Sequence, residues 1–202
     1  MGLFSRRRSG DNPPDWLVLG LGNPGERYAH TRHNVGEDAV RLLASRHGGT
    51  LKAGKNDSFV AECRLGDVRT VLAIPVTFMN ESGRAASSLV SRFGVPGPER
   101  IIVVHDELDL EPGTVRVKVG GGLAGHNGLR SITAHLSTQE YLRVRIGIGR
   151  PPSRERGADH VLSKVPRAQR AILDVGIEVA ADAIEEIIAH GADAAMRTVN
   201  SQ

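Results

Sequence analysis

Continuous apolar runs mark the central strands of the predicted fold. Residues 16–19 and 101–104 are uninterrupted apolar segments, which is typical of strands buried on both faces of a covered sheet. The first run ends at Gly20, and the second leads directly into His105 and Asp106. Because ligands of open α/β sheets bind at the carboxyl ends of the strands, the polar residues after these runs are candidates for a functional site.

Alternating segments predict the remaining strands. Residues 59–65 and 68–74, joined through Gly66-Asp67, have the pattern of a β-hairpin. Residues 115–119 and 142–148 alternate between apolar and polar side chains, which predicts two strands with one wet, basic face. That face would carry Arg116, Lys118, Arg143 and Arg145.

Apolar residues at helical spacing predict four helices. Two would begin after asparagines in N-cap position, Asn34 and Asn80, and end at glycines. A short helix is predicted over about residues 127–136, and a long amphipathic helix over about 167–190. Helices mixed with strands, some of them antiparallel, predict an α/β fold: a single three-layer α/β/α domain around a twisted mixed β-sheet.

Length and composition define where this domain lies and where the protein would work. The 202 residues suffice for one domain with a sizeable core, predicted for residues 15–202. Residues 1–14, rich in Arg, Ser, Asn and Pro, are interpreted as a disordered basic leader. No segment approaches the roughly 18 apolar residues of a membrane span, and a lone Cys63 suits a reducing compartment, so a cytoplasmic protein is expected. A monomer is expected.

Charge is unevenly distributed along the chain. Residues 111–157 contain eight basic residues and three acidic ones, whereas residues 171–196 contain six acids and no Lys or Arg. The basic segment could attract phosphate groups. Because the chain has only 1 Trp, 2 Tyr and 4 Phe, a base-stacking platform is not expected, and a nucleic acid would be held mainly through its phosphates.

A glycine-rich turn raises the alternative of a nicotinamide-dependent oxidoreductase. Residues 20–25, Gly-Leu-Gly-Asn-Pro-Gly, satisfy the G-x-G-x-x-G pattern after a predicted strand. In a dinucleotide site the helix begins at the third glycine, but here residues 26–33 intervene before helical periodicity starts. The hairpin strand that follows ends at Ile74-Pro75 without a ribose-binding acid. The turn instead presents Asn23 at the edge of the sheet.

Polar residues in five loops could together form a hydrolytic site. Each has a simpler interpretation as an N-cap or a turn, but in combination they supply a histidine base, an acid that orients it, and amides that could stabilise an oxyanion. No G-x-S-x-G elbow, H-E-x-x-H motif or Cys/His cluster is present. The chemistry that remains is direct attack by water on an electrophile such as an ester, with no metal, cofactor or covalent intermediate. The five sites are Asn23, His33-Asn34, Asn80, His105-Asp106 and His126-Asn127.

Six strings in this order make the chain resemble bacterial peptidyl-tRNA hydrolase over about residues 16–190. The resemblance implies hydrolysis of the ester between a peptide and the 3′-terminal ribose of tRNA, which rescues tRNA from prematurely released peptidyl-tRNA. A non-enzymatic RNA-binding relative remains an alternative, since it would keep the basic surface without needing the histidine and acid. The strings are residues 20–25, Tyr28 with residues 31–36, residues 77–80 with 82–83, residues 105–110, residues 125–129 and residues 145–149.

The same resemblance implies a role for individual residues. His33 would be the catalytic base and Asp106 its carboxylate partner, while the catalytic Asn23 would bind substrate and help to place water. Ala124 departs from the family pattern, which commonly has Gly there, and could stiffen its loop. The substrate-binding residues would be Tyr28, Met79, Asn80 and Asn127, and the residues that bind the phosphates of the tRNA acceptor arm would be Lys118, Arg145 and Arg154.

Overall fold

A seven-stranded mixed sheet organises the protein. The computed structural model describes residues 13–201, with only the backbone of Arg154. The strand order is β2-β3-β4-β1-β5-β7-β6; β4, β1, β5 and β7 are mutually parallel, whereas β3 and β6 run antiparallel to them. The strands are β1 (Trp16–Gly20), β2 (Lys52–Ala53), β3 (Ser58–Leu65), β4 (Val68–Pro75), β5 (Ile101–Glu107), β6 (Val115–Val119) and β7 (Leu142–Gly147).

Helices cover both faces of the sheet. One face packs against α1, α5 and α6, and the other against α2 and α3, which gives two apolar layers separated by the sheet. This arrangement confirms the predicted three-layer α/β domain. The helices are α1 (Val35–Arg46), α2 (Ser82–Phe93), α3 (Asn127–Leu136), α4 (Gly157–Leu162), α5 (Arg167–His190) and α6 (Ala192–Val199).

Element by element, the regular patterns predict the structure better than the caps do. The hairpin is confirmed, with Leu65 paired to Val68, as are the four helices. Asn34 occupies the predicted N-cap position of α1, whereas the N-cap predicted at Asn80 is wrong. Asn34 precedes α1 but makes no capping hydrogen bond, because its amide binds the loop of Asn23, and Asn80 lies inside a 3-10 turn before α2. The short elements β2, α4 and α6 were not predicted.

The predicted leader is only partly covered by the structure. Residues 1–12 lie outside the described residues, while Pro14, placed in the leader by its composition, is buried. No helix among residues 13–201 combines the length and apolar character that crossing a bilayer requires.

Two glycines let α1 approach the sheet closely. A Cβ on Gly20 would lie 2.5 Å from the carbonyl oxygen of Gly36, and a Cβ on Gly36 would lie 2.2 Å from that of Val104. Only glycine fits at such backbone contacts. The first glycine of the G-x-G pattern therefore serves helix packing, and the close contact holds the turn before α1 against the end of β5.

Candidate active site

The turn before α1 and the end of β5 bring His33 and Asp106 together. His33 lies in the 3-10 turn Arg32–Asn34, and Asp106 is the penultimate residue of β5. Their side chains meet with Nδ1 of His33 2.8 Å from Oδ1 of Asp106, and only 11% and 3% of the two side chains is exposed. The two residues predicted as a base and its acid therefore form a buried hydrogen-bonded pair.

The hydrogen bond fixes the tautomer of His33. An ionised carboxylate only accepts hydrogen bonds, so Nδ1 of His33 donates the proton and Nε2 of the neutral ring keeps its lone pair. Nε2 makes no hydrogen bond with any residue in the 13–201 range. The ring borders a cavity of about 220 Å³, also lined by Asp106, Leu108, Ala124, His126 and Asn127. His33 is thus set up to accept a proton from a molecule bound there.

A second histidine contacts the same carboxylate. Nε2 of His126 lies 3.0 Å from Oδ1 of Asp106, while its Nδ1 accepts hydrogen bonds from the backbone N–H groups of Gly128 and Leu129 at 3.1 and 3.3 Å. His126 is therefore the N-cap of α3 and carries its proton on Nε2. The sequence predicts His126 with Asn127 in one polar loop of the possible hydrolytic site but indicates no individual role for His126. Its position directly before the helix was the signal.

Opposite charges shift the ionisation of the central pair. Burial alone would raise the pKa of Asp106, but the charges of His33 and His126 and their hydrogen bonds hold that pKa well below its ordinary value. Burial likewise acts to lower the pKa of His33, and the negative charge and hydrogen bond of Asp106 outweigh it, so the pKa of His33 is raised above 6.5. Asp106 is consequently ionised at neutral pH.

His105 packs against Asp106 and His126 as a neutral ring. Its Nδ1 donates to the backbone oxygen of Asp106 at 2.7 Å, and its Nε2 is buried without a hydrogen-bond partner among the described residues. Burial, assisted by the nearby His126, lowers the pKa of His105 to about 3. Its ring centroid lies 5.0 Å from that of His126, edge to face. His105 therefore packs against the site without adding a charge to it.

Asn34 holds the loop of Asn23. Its side-chain oxygen accepts from the N–H of Asn23 at 3.0 Å, and its amide nitrogen donates to the carbonyl of Asn23 at 2.9 Å. The side-chain oxygen of Asn23 in turn accepts from the N–H of Met79 at 2.9 Å, which leaves its NH2 group to donate. Asn34, predicted from the sequence both as part of a candidate site loop and as a helix cap, is therefore a positioning residue.

The predicted substrate-binding residues occupy different surroundings. Asn127 is exposed and borders the cavity beside His33. Asn80 is exposed on the turn before α2, Tyr28 is half-buried beneath the guanidinium of Arg27, and Met79 is buried in the core. Tyr28, Met79 and Asn80 do not belong to the wall of this cavity.

The basic face differs from its prediction at β7. Arg143 is buried and donates to the carbonyls of Gly121 and Gly122 at 2.7 and 2.8 Å, so it supports the Gly-rich loop of residues 120–125 and does not face water. The prediction that Arg143 lies on a solvent-exposed face is therefore wrong, because this loop packs over the strand. Arg145 donates through Nε and one Nη to Glu107 at 3.1 and 3.0 Å.

Lys118 and Arg154, the other two residues predicted to bind phosphate, differ in what the structure describes of them. Lys118 on β6 is exposed and makes no ion pair within the described part of the chain. Arg154 belongs to a 3-10 turn, and its side chain lies outside what the structure describes. Of the three predicted ligands, Lys118 is therefore the described cation most available to a partner.

The ligand atoms of His33, Asp106 and His126 lie within 4.8 Å of one another, a spacing that could suit a metal ion. The protonation of His126 does not suit a metal ion. Nε2 of His126 must carry a proton because Nδ1 already accepts two backbone N–H groups, whereas a metal ligand needs a free lone pair. The trio fits a hydrogen-bonded acid–base cluster better than a metal site.

Fold and site together define an α/β protein with a buried histidine–carboxylate pair at the carboxyl edge of its sheet. The family model for peptidyl-tRNA hydrolase matches residues 17–202. The chain is 48% identical over 199 residues to the peptidyl-tRNA hydrolase of Cutibacterium acnes, covering 93% of this chain and 99% of that one. Identity to the corresponding protein of Frankia alni is 51% over 176 residues, 87% of this chain and 89% of the relative.

A solved structure is similar over nearly the whole length. The crystal structure of peptidyl-tRNA hydrolase from Acinetobacter baumannii superposes with a TM-score of 0.88 at 38% identity, covering 95% of this chain and 98% of that one. The chain belongs to the peptidyl-tRNA hydrolase family, and it is therefore a hydrolase.

Proposed function

We propose that this protein hydrolyses the ester that joins a peptide to the 3′-terminal ribose of tRNA, releasing free peptide and tRNA. The observation that carries the proposal is the 2.8 Å hydrogen bond between Nδ1 of His33 and Asp106, which leaves Nε2 of His33 free beside a cavity. A neutral imidazole so placed is suited to act as a general base. Membership of the family supplies the substrate class.

The reaction would proceed by direct attack of water. Nε2 of His33 removes a proton from the water as its oxygen bonds to the ester carbonyl carbon, giving a tetrahedral oxyanion. As the intermediate collapses, the bond to the ribose oxygen breaks, and protonated His33 returns its proton to that oxygen. Asp106 holds the ring and stabilises the imidazolium, as in other histidine–aspartate pairs. The protein forms no covalent intermediate in this scheme, and no metal takes part.

Neutral amides would stabilise the oxyanion and position the substrate. The NH2 group of Asn23 is the one donor of that side chain left unused by the loop, and a well-placed donor of this kind contributes roughly 3 to 4 kcal/mol. Asn127 at the cavity and Asn80 on the turn before α2 would bind the peptide and the terminal nucleotide. Tyr28 and Met79 would form walls of the substrate site.

Phosphates of the acceptor arm would bind at the basic strands. Lys118 is exposed on β6, and Arg145 on β7 keeps one Nη group free of Glu107. Contacts to phosphate are independent of sequence, which suits an enzyme that accepts many tRNAs. Arg154 would extend the same basic surface.

The decisive experiment is the release of peptide from purified peptidyl-tRNA, followed as free peptide and deacylated tRNA. We expect turnover that persists in the presence of a metal chelator. Binding of tRNA without release would instead identify a non-enzymatic RNA-binding protein. A parallel titration with a nicotinamide nucleotide should give no binding; saturable binding there, with no peptide release, would favour the oxidoreductase alternative.

A further inference from the structure

Two histidines share a single oxygen of Asp106. Oδ1 accepts from Nδ1 of His33 at 2.8 Å and from Nε2 of His126 at 3.0 Å, and the centroids of the two rings lie 5.1 Å apart. All three side chains are largely buried, with 3% of Asp106, 11% of His33 and 8% of His126 exposed. The two N–H donors therefore divide between them the negative charge of one desolvated carboxylate.

Helix α3 fixes His126 as a permanent donor in this arrangement. Its Nδ1 accepts from the N–H groups of Gly128 and Leu129 in the first turn of the helix, where the backbone carries partial positive charge. A second proton on the ring would have to sit on Nδ1 and point at these two donors. The two histidines are therefore not interchangeable: Nδ1 of His126 is occupied by α3, whereas Nε2 of His33 is free beside the cavity.

We propose that His126 is a positioning residue that sets the pH range of the reaction, by taking part of the charge of Asp106 away from His33. A carboxylate that already accepts one strong hydrogen bond stabilises the imidazolium form of its second partner less well. His33 would thus be neutral over a wider pH range and would return its proton to the leaving oxygen more readily. This inference rests on the proposed function for its role in catalysis, but not for its effect on ionisation.

Other ionisable groups around the trio offer no competing explanation. The part of α4 that borders the cavity consists of Gly157, Ala158 and Val161, which do not titrate. Among the described residues, the nearby charged or titratable side chains are neutral or already bound to protein partners: His105 beneath His126, with Arg143 acting on it; Glu107 with Arg145; Glu37 with Arg41; Asp38 with Arg170; and Arg32 with the carbonyl of His160 and the side chains of Ser163 and Gln169.

The substitution His126→Asn separates the two roles of this residue. Asparagine is a good N-cap and should preserve α3, but its side chain is too short to cap the helix and reach Asp106 as well. We expect the titration midpoint of His33, followed by NMR of its labelled imidazole, to rise by about half to one pH unit. The acid limb of kcat/KM should move upward by the same amount. His135→Asn, a matched change on the exposed face of the same helix, should move neither.

A second background tests the route through the carboxylate. When Asp106 is first changed to Asn, the further change His126→Asn should no longer raise the midpoint of His33, since no charge is left to share. Should His126→Asn fail to fold, His126→Ser keeps a capping side chain and serves the same test. A midpoint that stays constant or falls in the variant with Asp106 intact would overturn the inference. If the wild-type protein released no peptide, the NMR titration would still decide the question, so the two proposals can fail separately.

Discussion

The histidine cluster and the basic strands use charge in different ways. In the cluster, both ring nitrogens of His126, Nδ1 of His33 and Oδ1 of Asp106 each have a defined hydrogen-bond partner. On the basic strands, neighbouring cations have different surroundings: Arg143 supports a loop, whereas Lys118 is exposed. A count of charges along the chain therefore indicates where phosphate could bind, but only burial and hydrogen bonding tell which cations are available.

Removing the base should have the largest effect on activity. With His33→Ala, Nε2 is lost from the cavity, and we expect kcat to fall by about 10³ to 10⁴, the upper range for a general base. The affinity for tRNA should remain nearly unchanged, because the phosphates of tRNA would bind at the basic strands and not at this ring. Single-turnover kinetics and a binding titration measure the two quantities separately. Near-wild-type turnover would exclude His33 as the base.

Neutralising the acid should reduce the rate and also move its pH dependence. Asp106 raises the pKa of His33 against the effect of burial, so in Asp106→Asn burial prevails and that pKa should fall below 6.5. The acid limb of the pH profile would then shift downward, while kcat falls by about 10² because the ring loses its orientation and tautomer. Asp109→Asn, a change at an exposed acid just beyond β5, is the control. An unaltered rate and profile would argue against the pair.

Much of this site follows from residue order, and the rest depends on long-range packing. The apolar runs place Asp106 at the end of a central strand, and the turn before a helix places His33 at the same edge of the sheet. Nothing local predicts that Asn34 binds the loop of Asn23, a contact between residues 11 positions apart, in place of capping α1. The burial of Arg143 likewise cannot be predicted from the alternating pattern of its strand, because it depends on where the Gly-rich loop folds.

Exposed cations should act through phosphate binding alone. We expect Lys118→Ala to raise KM, to leave kcat almost constant, and to reduce the slope of log KM against log salt by about one. Lys52→Ala makes the same change of charge on β2, at the opposite edge of the sheet, and should leave the slope unchanged. Equal slopes for the two variants would remove Lys118 from the phosphate site.

The smallest effect on activity, but a distinct effect on stability, is expected at His105. Its pKa is about 3 in the folded protein and near 6.5 when exposed, so below pH 6.5 the unfolded chain binds a proton that the folded chain does not. The free energy of unfolding should therefore fall as the solution is acidified, by up to about 1.4 kcal/mol per pH unit from this group.

The window from pH 6 to 5 isolates this contribution. Asp106 titrates well below 3.8, and the raised pKa of His33 adds stability that is already complete below 6.5 and is lost only as the pH rises through it. His105→Asn keeps a donor for the carbonyl of Asp106 but cannot take up a proton, so its urea-derived stability should depend less steeply on pH than that of the wild-type protein. His190→Asn, at the exposed end of α5, should retain the wild-type slope. Parallel slopes for His105→Asn and the wild type would mean that His105 is already protonated, or solvated, in the folded state.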